Sequence, residues 1–120
     1  MDRNPAIVLE EIAQAREELK NYAAQYSVAR KRAVKSELAY ERAMAQEITR
    51  IYNDTQPKPP AEDIRKAMAH DRLREKEWEN YLIDRAELDS LDRLLKTAAA
   101  SLSSLQSELG QLRDELKFTS

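Results

Sequence analysis

The chain has no cysteine, one glycine and one histidine, and its longest apolar run, Ala6 to Leu9, covers four residues. Without cysteine there are no disulfides and no thiolate metal sites. The lone imidazole, His70, lies in a charged stretch (Ala69-His70-Asp71-Arg72) and is expected to be solvated or ion-paired. Di-iron helical bundles need two Glu-x-x-His motifs, and none is present. A single glycine, Gly110, cannot build a glycine-rich phosphate loop, and no serine stands on a nucleophile elbow. An enzyme is therefore not expected, nor a cofactor. The apolar runs are far too short to cross a bilayer, and Met1-Asp2-Arg3-Asn4-Pro5 has no charged-then-apolar leader pattern. The expectation is a soluble cytoplasmic protein with no membrane partner. An excess of one charge sign is also missing. Twenty basic residues stand against 22 acidic ones, a net charge of −2, which excludes a general polycation and still allows a local basic face.

What remains is charge and periodicity. Charged residues make up 35 % of the 120 residues and apolar ones 42 %. Mixed charge signs and regular apolar spacing argue against disorder, and the Ala, Glu, Lys, Leu and Arg content is that of long helices. Leucine recurs every seventh residue at Leu88, Leu95, Leu102, Leu109 and Leu116, interleaved with Leu91, Ala98, Leu105 and Leu112. Alternating steps of three and four give a helix one narrow apolar seam, which needs a partner in water.

Asn4-Pro5 reads as an N-cap followed by the first helical residue. No proline or glycine follows before Tyr52, so one helix is predicted over 5–52. Its seam runs Ile12, Ala15, Leu19, Tyr22, Tyr26, Ala29 and Ala33, then drifts toward Val34, Leu38, Tyr40, Met44, Ile48, Ile51 and Tyr52. Pro57, Pro59 and Pro60 demand a loop over 53–60. Pro60 then opens a second helix over 60–117, with Glu62 and Asp63 in its first turn. Its seam is Ile64, Met68, Trp78 and Leu82, with a register shift between Tyr81 and Leu88. The fold class is all-α, a long antiparallel helical hairpin or coiled coil forming one domain over 1–120. Pairing outward from the loop sets Arg42 across from His70 and Arg72, and Lys35 across from Lys76 and Glu77. The second helix is the longer one, so its end is expected to lack a partner within the chain. Leu102, Leu105, Leu109, Leu112 and Leu116 form the expected homo-oligomer interface.

Residues 30–52 carry six cations (Arg30, Lys31, Arg32, Lys35, Arg42, Arg50) against three carboxylates (Glu37, Glu41, Glu47) and form the net-positive segment. At the helical pitch Lys31, Lys35 and Arg42 fall within about 40° of one another. Lys31 and Lys35 are like charges at i, i+4, which opposes an isolated helix by a few tenths of a kcal/mol. Arg65, Arg72 and Lys76 make a matching stripe on the second helix, and Lys58 lies in the loop. Either this face meets an anion such as nucleic-acid phosphate, or Glu41, Glu75, Glu77 and Glu79 neutralise an ordinary surface. Among the aromatics, Tyr22, Tyr26 and Trp78 lie on the seam, while Tyr40 and Tyr52 are candidates to stack on bases.

Over residues 20–117 the chain resembles the bacteriophage recombination mediators of the UvsY family. The likeness rests on Arg30-Lys31-Arg32-Ala33-Val34 leading into Leu38-Ala39-Tyr40-Glu41-Arg42-Ala43, then a short loop. Ala61-Glu62-Asp63-Ile64-Arg65-Lys66-Ala67-Met68 follows, and then the leucine-spaced C-terminal helix. The resemblance implies a small all-helical oligomer in the bacterial cytoplasm that binds single-stranded DNA without sequence preference. It also implies help in loading recombinase onto strands coated with single-strand-binding protein, which makes those proteins the expected partners. Arg30, Lys31, Arg32, Lys35, Arg42, Lys58, Arg65 and Arg72 are the expected DNA-binding residues. Two readings without nucleic acid stand beside it: a helical adaptor or inhibitor that binds protein through its faces, and a coiled-coil spacer.

Overall fold

The structure, a computed structural model, describes residues 3–119; Met1, Asp2 and Ser120 of the expected domain span lie outside them. Its elements are all helical, as the periodicity predicts. Helix α1 is Pro5–Asp54, and α2 is Glu62–Leu73. A π-helical segment, Arg74–Trp78, follows α2 directly and leads into α3, Glu79–Thr119. The chain divides into two compact units where the sequence reads as one domain. One joins Met1–Ser27 to Asp89–Ser120, and the other is Val28–Leu88.

Local chemistry sets the helix ends. The Asn4 side-chain oxygen accepts the Ala6 N–H at 2.9 Å, and its carbonyl accepts the Val8 N–H at 3.2 Å, so Asn4 caps and Pro5 leads as predicted. At its other end α1 runs two residues past Tyr52. Nothing forbids helix until the Gln56–Pro57 step, and Thr55 closes the last turn with its N–H (3.1 Å) and hydroxyl (2.5 Å) on the Ile51 carbonyl. Helix α2 begins at Glu62 rather than Pro60. Its first backbone bond runs from the Arg65 N–H to the Ala61 carbonyl at 2.9 Å, while Ala61 itself is extended (φ −57°, ψ 155°). The Arg65 guanidinium takes the Pro60 carbonyl at 2.6 Å and holds it outside the helix.

In the first unit the two helical stretches run antiparallel, with Arg3 bonded to Glu108 at 2.5 Å and Lys96 close to Tyr26. Val8, Ile12 and Leu109 form a buried cluster against which Leu102, Leu105 and Leu112 pack. This corrects the idea of a spare leucine end. Leu109 is buried against Val8 and Ile12 of α1, Leu102, Leu105 and Leu112 are partly buried around that cluster, and of the five predicted interface leucines only Leu116 is more than half exposed.

The second unit is a helical hairpin turning through residues 55–61. Arg32 meets Glu87 at 3.0 Å, Ser36 bonds Asp84, and Arg72 meets Glu47 at 3.1 Å. The alignment is therefore about two helical turns away from the predicted one that set Lys35 against Glu77. A proline-rich turn of free length does not fix this offset, and the polar pairs do. Beyond Ala33 the α1 stripe runs through Ser36, Tyr40, Ala43, Met44, Ile48 and Ile51; of the residues predicted for it, Val34, Leu38 and Tyr52 are exposed instead. On the return path Ala69, Leu73, Trp78, Tyr81, Asp84 and Leu88 face inward, whereas Ile64, Met68 and Leu82 face solvent. The shift in register falls at Arg74–Trp78 instead of between Tyr81 and Leu88. One extra residue in that π turn carries the pattern from Leu73 to Trp78.

Replacing Leu109 by alanine should empty part of the Val8–Ile12 cluster and lower stability by about 2–4 kcal/mol. Leu94→Ala, on a side chain 43 % exposed, should cost less than about 1 kcal/mol. Urea unfolding followed by circular dichroism checks the pair, and equal losses would contradict the packing described.

Candidate nucleic-acid interface

The eight predicted DNA-binding residues separate by what holds them. Arg32 is paired with Glu87, and Arg72 with Glu47, a carboxylate only 12 % exposed that also takes Arg50 at 2.5 Å. Arg65 is fixed more firmly. Besides holding the Pro60 carbonyl, its guanidinium lies 5.1 Å from the centre of the Tyr52 ring, and its Nε is buried without a hydrogen-bond partner. It serves the turn rather than a ligand. Arg30, Lys31, Lys35, Arg42 and Lys58 are exposed, and no carboxylate among the described residues pairs with any of them. Glu41, Glu75, Glu77 and Glu79, the expected neutralisers, make no ion pair with them either.

The geometry behind this is simple. With Ala29, Ala33, Ser36 and Tyr40 turned inward, Lys31, Lys35, Leu38 and Arg42 step by three and four along the opposite face of α1. The three cations span about 16 Å. Val28 and Val34 border the same face and are about half exposed. Exposed ion pairs contribute roughly 0–1 kcal/mol, so Arg32 is lightly held by the exposed Glu87, whereas the α1 stripe needs no pair broken before an anion can approach.

The predicted roles of the aromatic residues change. Tyr40 is no open platform. Its hydroxyl hydrogen-bonds His70 Nδ1 at 2.5 Å, and Trp78 packs on both rings at centroid distances of 5.0 Å, with Tyr81 a further 5.5 Å from Trp78. His70 is half-buried in this group and not solvated or ion-paired as expected. The four-residue step Ser36 to Tyr40 was the signal that could have placed Tyr40 inside. Tyr52 is exposed, with Arg65 over its ring. Among the described residues no three His, Asp or Glu side chains gather as a metal site, and no helix is long and apolar enough to cross a membrane.

No family model matches this chain, and no curated protein and no solved structure matches it. The site is therefore judged on its own geometry.

Burial lifts the Tyr40 phenol above the ordinary tyrosine value, so the folded chain keeps that proton to higher pH than the unfolded one. The resulting stability is complete below the ordinary tyrosine range near pH ~10 and is lost as pH rises through the folded value. Tyr22, raised by its bond to Glu18, adds to the same loss from the other unit. Tyr40→Phe should therefore shrink, without abolishing, the fall in urea midpoint between about pH 9 and about pH 11. An undiminished fall would mean that the Tyr40 hydroxyl is solvated.

Proposed function

We propose that the chain is a non-enzymatic accessory protein that binds single-stranded DNA without sequence preference and assists recombinase loading. Lys31, Lys35 and Arg42 would carry the contact, with Arg30 beside them and Lys58 in the turn. One observation supports this above the rest: the three cations share an exposed face and have no carboxylate partner among the described residues. Unneutralised like charges at helical spacing oppose their own helix and are relieved when phosphate meets them. The likeness to phage recombination mediators in the Arg30–Ala43 stretch points the same way.

A second reading draws on the same face. Val28, Val34 and Leu38 stand exposed among the lysines, and an apolar-cationic helix face suits docking against an acidic protein surface. Salt separates the two. Three phosphate contacts on a single strand imply a slope of log affinity against log salt of about −2, whereas docking on protein keeps the part of its affinity that comes from Val28, Val34 and Leu38 when salt screens the charges.

Fluorescence anisotropy with a labelled oligonucleotide tests the proposal. Lys31→Glu/Lys35→Glu should weaken binding by more than about tenfold at low salt. Arg65→Gln should change it little, since that guanidinium is committed to the turn. No affinity in about 50 mM salt, or affinity that survives the double reversal, would end the DNA reading.

A further inference from the structure

The first unit holds a groove of about 410 Å³ along the side of its helix pair. Its floor is apolar, with Leu9 about half exposed beside the buried Ile12 and Leu109. Arg16 rises from the α1 wall and Arg113 from the α3 wall. No carboxylate among the described residues pairs with either guanidinium. In the same unit Arg3, by contrast, is bound to both Glu11 and Glu108.

Gly110 lines this groove and is the only glycine of the chain. It sits inside α3, has no positive φ, and a Cβ placed on it would meet nothing within 4 Å. Neither a turn nor internal packing requires glycine here, and glycine weakens a helix interior. What its bareness gives is room on the groove floor for another backbone to come close.

We infer that this groove is the docking site of an amphipathic helix from a partner protein, one whose apolar stripe is flanked by carboxylates. Apolar side chains of the incoming helix cover Leu9, Ile12 and Leu109, and a carboxylate on each flank meets Arg16 and Arg113, completing a three-helix arrangement in this unit. Charge selects the partner: a basic helix would place cations against two unpaired guanidiniums. Phosphate gains nothing from the aliphatic floor, and a flat lipid surface does not enter a concave groove.

The test uses the full chain, isotopically labelled, and two helix-forming peptides of about 18 residues. Both have leucines at i, i+4, i+7 and i+11, and the flanking positions are glutamate in one and lysine in the other. The lone glycine gives a single resolved amide signal, a direct reporter on the groove floor. That signal should shift with the glutamate peptide and not with the lysine peptide. Arg16→Glu/Arg113→Glu should weaken binding by at least about tenfold. Gly110→Leu, which open space accommodates and which favours helix, should abolish binding with the circular dichroism spectrum retained. The inference is overturned if the glutamate peptide does not bind, if both peptides bind alike, or if Gly110→Leu binds as well as the parent chain. It is equally overturned if the parent self-associates and Gly110→Leu disperses it, because a second copy would then be the occupant. Oligonucleotide affinity should be unaltered by Gly110→Leu, so this outcome and the fate of the DNA reading are independent.

Discussion

Each helix of this chain turns inward only one side chain in every three or four, and the narrowness of that seam governs the other features. The buried apolar residues are few, and Ala29, Ala33, Ala69 and Ala98 are four of them. An alanine brings helix axes close but adds little burial. The aliphatic contacts of Val8, Ile12 and Leu109 therefore weigh heavily, at about 1.5–3 kcal/mol per well-buried large side chain. Exposed ion pairs at roughly 0–1 kcal/mol cannot replace them. Their use is different. Where a seam is built of small and polar residues it has little preference for one alignment, and Ser36–Asp84, Glu47–Arg72 and Tyr40–His70 supply that preference in the second unit. Polar residues at seam positions are a known means of setting register.

The same constraint defines the candidate site by elimination. Cations next to the seam find carboxylates on the facing helix, as Arg32 and Arg72 do. Those on the far face of α1 have no helix opposite them. Lys31, Lys35 and Arg42 remain unneutralised for that geometric reason. Arg65 shows how composition alone misleads: a guanidinium that counts toward a basic patch donates to the Pro60 carbonyl and lays its flat face on Tyr52. It stabilises the turn in place of the side-chain cap that α2 lacks.

Periodicity made the helices, the Asn4 cap and the proline turn readable, because each depends on residues close in sequence. It could not give the alignment between helices. That depends on the offset allowed by residues 55–61 and on pairs such as Ser36–Asp84, which are 48 residues apart. From this one missing quantity followed the error at the C-terminal end: an alignment displaced by two turns leaves leucines uncovered that in fact pack on Val8 and Ile12. The π segment was hidden because four of its five residues, Arg74 to Glu77, are charged and offer no apolar spacing to read, and the extra residue lies there and not between Tyr81 and Leu88. At the candidate site the face of each lysine was legible, whereas the partner of each arginine was not.

The energetics of the stripe bear on how such a protein could work. On the proposed function, three phosphate contacts would yield a weak, salt-sensitive association with a single strand, close to the non-specific binding of any small basic patch. Useful occupancy of DNA then requires several stripes to act together, since linked weak sites gain through effective concentration. The leucines assigned to self-association are largely occupied within the chain, so the linking contact has to come from another surface. A groove that recruits an acidic helix offers a different route: a partner already bound to the strand would hold the stripe near phosphate without any need for copies of this chain to join. Under that arrangement the apolar residues Val28, Val34 and Leu38 need not touch DNA at all. The DNA reading thus asks for a second binding event in addition to the stripe, whereas the adaptor reading does not.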